Sequence, residues 1–181
     1  GMGFIEETGA AQYYRDARIL PIYEGTTAIQ ANDLVGRKTL RDDGAVAQAL
    51  LCEVERTIEA LKQQDDRAFR SIAAQLEAGR RALGAVIAFV VEHGKRDPNA
   101  VFVGSVPYLK LAGLVLGGWQ MARAALVAQA KRAEDPSFYA AKIATAQCFA
   151  EHVLPHAAAL ETAVLTAKNG EGLLALDLEQ F

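Results

Sequence analysis

Cysteine is scarce: Cys52 and Cys148 are the only two in 181 residues, and neither belongs to a spaced framework. That argues against a disulfide scaffold or a cysteine zinc site, and for a reducing compartment. Positive charge is not in excess either. With 19 basic and 22 acidic side chains the net charge is −3, so neither nucleic acid nor an anionic membrane is expected as a partner. The opening residues, Gly1-Met2-Gly3-Phe4-Ile5-Glu6-Glu7, lack the basic and apolar regions of a secretory signal, and a cytoplasmic location is expected. The most apolar run, Leu111 to Trp119, is about half the length a spanning helix needs, so no membrane span is expected. Strand-like alternation of useful length is missing. What the chain has instead is 51% hydrophobic and 23% charged residues, the proportions of a packed soluble protein rather than a disordered one.

Composition divides the chain near residue 41. Residues 1–41 mix glycine, acids, aromatics and a proline without long periodicity, whereas residues 42–181 are helical in pattern almost throughout. In the first part a helix end is expected from about Thr8 to Ile19, broken by Pro21, which pushes Leu20 away from helical angles. A new helix should begin at Thr27-Ala28-Ile29-Gln30, a capping box. Ile29, Leu34 and Val35 would be its buried stripe, and it should fade near Arg37 to Leu40.

In the second part Val46, Leu50, Val54, Ile58 and Leu61 recur at helical spacing. Asp65-Asp66 can cap a following helix, in which Phe69, Ile72, Leu76, Leu83, Ile87 and Val90 share one face as far as Gly94. Asp97-Pro98-Asn99 reads as a turn. Ser105, with Pro107 in the first turn, opens a third helix that is apolar on nearly every side through Leu126. Asp135-Pro136 opens a fourth, which runs through Val164 to Asn169-Gly170 and kinks at Pro155. The economical packing of four such helices is an all-α, antiparallel four-helix bundle, preceded by a short partial helical segment. Gly113 and Gly117, with Gly118 beside them, predict close approach of a neighbouring backbone.

The bundle is chemically quiet. His152 and His156 stand four apart, but Pro155 distorts the helix between them and no third ligand completes a metal site. His93 near a helix C-terminus is explained by the dipole. Trp119 reads as a core anchor, and Arg80, Arg81, Lys131 and Arg132 as a solvated face. Chemistry concentrates between Tyr14 and Gln30. Glu24 lies between Tyr23 and Gly25, just before a helix start. Ile22 and Tyr23 would desolvate it, the environment a general base near neutral pH requires. Gly25 lets a ligand approach the backbone, and the amides of the next helix offer donors to a phosphate or carbonyl oxygen. On these grounds alone the segment is either an anion or acyl site or an exposed loop glutamate.

Gly1-Met2-Gly3-Phe4, Arg15-Asp16-Ala17-Arg18-Ile19, Ile22-Tyr23-Glu24-Gly25-Thr26 and Ile29-Gln30 together resemble the C-terminal signature of acyl-CoA dehydrogenases. The resemblance implies that Glu24 is the base removing the α-proton of an acyl-CoA thioester while the β-hydride passes to FAD. It also implies that the Glu24 amide helps hold the thioester carbonyl and that Gly25 lines the acyl pocket. Thr26, Thr27, Ala28 and Gln30 would lie against FAD; family members often carry a polar residue where this chain has Ala28. The Gly1–Gly3 turn resembles a loop that reaches a neighbouring subunit's flavin, which implies a homo-oligomer. Leu109 to Ala125 and Phe138-Tyr139-Ala140-Ala141-Lys142 resemble the extra helical domain of a subgroup that includes methylmercaptopropionyl-CoA dehydrogenases.

Residues 1–41 would then be a remnant of the dehydrogenase C-terminal domain, and 42–181 the appended bundle. The resemblance further implies that the chain is the C-terminal part of a longer enzyme, which has an electron-transfer acceptor. By itself the chain is expected neither to hold FAD tightly nor to turn over acyl-CoA. The alternative is a non-catalytic helical oligomerisation or interaction module.

Overall fold

A computed structural model describes residues 1–22 and 26–166, and every regular element among them is helical. In chain order these are α1 (Ala10–Ile22), α2 (Thr27–Asp33), α3 (Ala45–Lys62), α4 (Arg67–His93), the short α5 (Pro98–Phe102), α6 (Ser105–Ala130), α7 (Pro136–His152) and α8 (His156–Leu165). Helices α4 and α6 pack on each other, and each also packs on α3, α7 and α8. The bundle therefore has four rods, of which the fourth is α7 and α8 in series.

Two of the rods, α4 and the one that opens with α7, begin where an aspartate satisfies a helix-start amide, whereas α3 and α6 start at Gly44 and Gly104 without a side-chain cap. The Asp66 carboxylate accepts from the Ala68 amide at 2.8 Å, and Asp135 from the Phe138 amide at 3.1 Å with Pro136 behind it. Asp97 also caps: it accepts from the Ala100 amide at 3.2 Å and starts α5, so the expected turn is a short helix. On α4 the expected stripe is buried in full, from Phe69 through Val90. On α3 it holds at Val54, Ile58 and Leu61 and differs only at its start. Leu51, Val54, Ile58 and Leu61 are buried, Val46 is exposed, and Leu50 is only half-buried. Leu50 and Leu51 are equally apolar, so only the roll of the helix against α4 separates them.

Pro155 breaks the fourth rod rather than kinking it: α7 stops at His152 and α8 restarts at His156. The break aims Leu154, 2% exposed, into the bundle. There it fills the space beside Gly118, where a Cβ would meet the leucine Cδ2 at 2.8 Å, and it also approaches Gly79. Close approach therefore occurs at Gly118; Gly113 has nothing within 4 Å, and Gly117 makes ordinary contact with Phe149. Gly44, φ 79°, is needed for its left-handed turn and for room against Val91 and Ile87.

The basic residues are not all solvated. The Arg80 side chain is only 26% exposed and crosses to Glu55 on α3 at 2.6 Å. Helix α6 is long and apolar enough, by length and composition alone, to cross a membrane. Here it is the bundle's central helix, touching α2, α3, α4, α7 and α8, and that packing explains an apolar character on almost every side.

Candidate functional site

Residues 1–42 place the candidate site. A short helical turn at Glu6–Thr8 precedes α1, and the Thr8 hydroxyl donates to the Met2 carbonyl at 2.6 Å, folding the glycine turn back. Gly3, Phe4, Ala11, Tyr14 and Arg15 enclose a cleft of about 420 Å³ between that turn and α1. Helix α1 continues through Pro21 to Ile22, beyond the expected break after Ile19. A proline near the end of a helix removes one backbone bond, and its ring fixes a φ that helix geometry accepts. Phe4, Tyr13, Tyr14, Ile19 and Ile22 are all exposed, Phe4 by 86%. No other described helix packs extensively on α1, so a band of large apolar side chains is left uncovered.

Glu24 and Gly25 lie outside the described residues, as does the expected helix stop at Asn169-Gly170. The remaining sequence-derived candidates come together on the first turn of α2. Thr26, Ala28 and Gln30 are exposed and Thr27 is half-buried. The capping box is not built: Thr26, not Thr27, is the N-cap, with φ −105° and no side-chain cap bond. Ile29, expected in the buried stripe, is 64% exposed. The rest of the stripe holds, with Val35 fully buried and Leu34 half-buried against the core, and Ala31, also fully buried, takes the place of Ile29.

That turn is π-helical, Leu34–Thr39, and it runs into a tighter turn at Leu40–Asp42. The wider winding sets Thr39 inward. Its hydroxyl donates to the Leu34 carbonyl at 2.8 Å and lies 2.9 Å from the Tyr108 hydroxyl on α6. Thr39 is fully buried and Tyr108 is 2% exposed. Burial pushes the Tyr108 phenol above its ordinary range. This pair escaped the sequence reading, because a lone tyrosine on an apolar helix looks like core and Thr39 sits where the helix was expected to fade. The arrangement ties the far end of α2 to the bundle and leaves its start open.

Other expectations can be placed as well. The His93 ring sits on Phe89, with Nδ1 3.1 Å from the Phe89 carbonyl at the end of α4. His156 Nδ1 is 3.1 Å from the Val153 carbonyl. Both cysteines are exposed and unpaired. Trp119 is not a core anchor; it is half-buried, its indole N–H donates to the Thr57 hydroxyl at 2.7 Å, and Arg123 lies over its ring.

Known proteins resemble the chain in two stretches. Residues 1–39 match the model for "Acyl-CoA dehydrogenase, C-terminal domain", and residues 50–174 that for "Acetyl-CoA dehydrogenase C-terminal like". The 3-methylmercaptopropionyl-CoA dehydrogenase of Ruegeria pomeroyi is 47% identical over 180 residues, 98% of this chain and 30% of that protein. The broad-specificity linear acyl-CoA dehydrogenase FadE5 of Mycobacterium tuberculosis is 30% identical, over 93% of this chain and 29% of its own length. The mitochondrial short-chain specific acyl-CoA dehydrogenase of Rattus norvegicus is 56% identical over 36 residues, 20% of this chain and 9% of its own. The chain thus spans less than a third of the length of these relatives. With more than half of its residues inside one family model, it belongs to the acetyl-CoA dehydrogenase C-terminal-like family.

Proposed function

We propose that the chain works as the C-terminal part of an FAD-dependent acyl-CoA dehydrogenase, with Glu24 as the base that takes the α-proton of the bound thioester. The observation that carries this reading is the half-anchored helix that follows Glu24 and Gly25. Its start presents Thr26, Ala28 and Gln30 outward, while its continuation is buried and pinned through Thr39 to Tyr108. An exposed first helical turn, Thr26 and Gln30 beside Ala28 and Ile29, not covered by the other described residues, offers polar groups and an apolar edge that suit a flavin, so the residues fit the group. The chemistry FAD supplies when bound is acceptance of the hydride that leaves Cβ.

The chain's own part is to hold and move a proton. The Glu24 carboxylate takes the proton from Cα, and negative charge grows on the thioester carbonyl oxygen. Amides at a helix start favour that charge, and the Glu24 amide would contribute there. Gly25 leaves space for the acyl chain beside the backbone. The uncovered apolar band on α1 supports closure against further dehydrogenase domains or a neighbouring subunit, hence a homo-oligomer. We keep the division of the chain into 1–41, carrying the site, and 42–181, the bundle, as part of this proposal.

In a dehydrogenase carrying this chain, Glu24→Gln should abolish flavin bleaching by acyl-CoA, read at the flavin absorption maximum, while CoA-ester binding by calorimetry persists. Bleaching at the wild-type rate would remove Glu24 from the mechanism. The same exposed band on α1 also favours a second reading, an interaction module without chemistry; Glu24-dependent bleaching would exclude it.

A further inference from the structure

Two shallow grooves flank the last turns of α6. One, of about 460 Å³, lies towards α3 and is lined by Glu53 and Arg56, which pair with each other, and by Thr57, Trp119, Arg123 and Val127, among others. The other, of about 450 Å³, lies towards α7 and includes Arg123, Val127, Phe138, Tyr139 and Lys142. Arg123 and Val127 belong to both, so the grooves form one face. Val127 and Phe138 are large apolar side chains half open to solvent there.

The cations on this face are held in place. The Arg123 guanidinium lies 5.2 Å from the centre of the Trp119 ring and also donates to the Gln120 side chain at 3.0 Å. The Lys142 ammonium lies 5.2 Å from the centre of the Phe138 ring. Trp119 is itself fixed by its bond to Thr57. The neighbouring cations Arg56 and Lys131 have carboxylate partners, Glu53 and Glu134, but among the described residues Arg123 and Lys142 have none. In a chain of net charge −3 this is a positive, aromatic, pre-organised face. Tryptophan, tyrosine and arginine around an apolar floor are the residue types that dominate binding energy at protein interfaces.

We propose that this face docks an acidic peptide segment of a partner protein, with carboxylates on Arg123 and Lys142 and an aliphatic side chain over Val127. Charge complementarity selects that occupant. A second copy related by a two-fold axis would bring its own Arg123 and Lys142 to a face whose lining carboxylate, Glu53, is already paired with Arg56, leaving cations close to cations. The inference does not depend on Glu24 or on any dehydrogenase activity.

Trp119 is the only tryptophan in the chain, so its emission reports this face directly. The probe is a blocked heptapeptide, Asp-Glu-Leu-Leu-Glu-Asp-Phe, titrated into the full chain. Emission should change saturably, and added salt should weaken binding. Arg123→Gln and Lys142→Gln should each raise Kd by about two- to fivefold, the range of exposed charge pairs. A lysine-substituted version of the peptide should give no response. No saturable change at millimolar peptide, or unchanged Kd in both variants, would overturn the proposal. So would a doubling of mass in light scattering that Arg123→Gln abolishes, which would assign the face to a second copy. Binding of phosphatidylserine vesicles in place of the peptide would overturn it as well.

Discussion

The contact between Thr39 and Tyr108 is a test of how the site segment is anchored. A threonine hydroxyl has one proton, and Thr39 gives it to the Leu34 carbonyl at 2.8 Å. The proton in the 2.9 Å contact must therefore come from Tyr108. Tyr108→Phe removes that donor but keeps the bond to Leu34, and should cost about 1 kcal/mol. Thr39→Val is worse. It removes the side-chain bond to Leu34 and strands the buried phenol proton, an unpaired polar group costing about 1–3 kcal/mol. In the double variant the stranded phenol is gone, so the second substitution should add nothing or restore stability. The coupling energy should then be about 1 kcal/mol or more. Urea unfolding of all four proteins, followed by circular dichroism, measures it. Hydrogen exchange should show α2 amides opening faster in Thr39→Val, because the helix loses its buried anchor. Additive costs with no coupling would refute the donor assignment and with it the anchoring role.

Three further outcomes follow from the packing and electrostatics. Burial holds the Tyr108 phenol above its ordinary value, so the unfolded chain loses that proton first and stability should fall as pH rises past about 10. Tyr108→Phe should flatten that alkaline limb in pH-dependent urea melts. Leu154→Ala should cost about 2–5 kcal/mol by leaving a cavity. Gly118→Ala should also destabilise, since its Cβ would meet Leu154 at 2.8 Å. Combined, the pair should cost less than the sum, measured by thermal unfolding. The Glu151 carboxyl is held below the usual range by hydrogen bonds from Gln147 and Ser71. Its contribution to stability is present above the ordinary glutamate value and lost as pH falls through the depressed one. Ser71→Ala should raise its titration midpoint in carbon-detected NMR, and an unmoved midpoint would exclude the Ser71 bond.

Most of the fold was legible as local chemistry. Asp66 and Asp135 each start a helix because a short carboxylate reaches amides two or three residues on, and such a bond needs no distant partner. The α4 stripe was legible because six large apolar residues repeat at helical spacing. The candidate site was legible as a motif and not as a geometry. The Thr27–Gln30 pattern allows a capping box, yet the helix begins with Thr26 as N-cap and no side-chain cap. Weak local preferences of this kind yield to the packing of the residues that follow.

The amino-acid order by itself determined helices, caps, breakers and the residues that mark the family, since all of these act within a few positions along the chain. Tertiary structure alone decided which of Leu50 and Leu51 is buried, that Leu154 and not a backbone fills the space at Gly118, and that Thr39 meets Tyr108 across 69 residues. Those outcomes depend on how whole helices roll and slide to fill a common core. A difference of one position along a helix rotates a side chain by about 100°, and only a neighbouring helix can choose between the two.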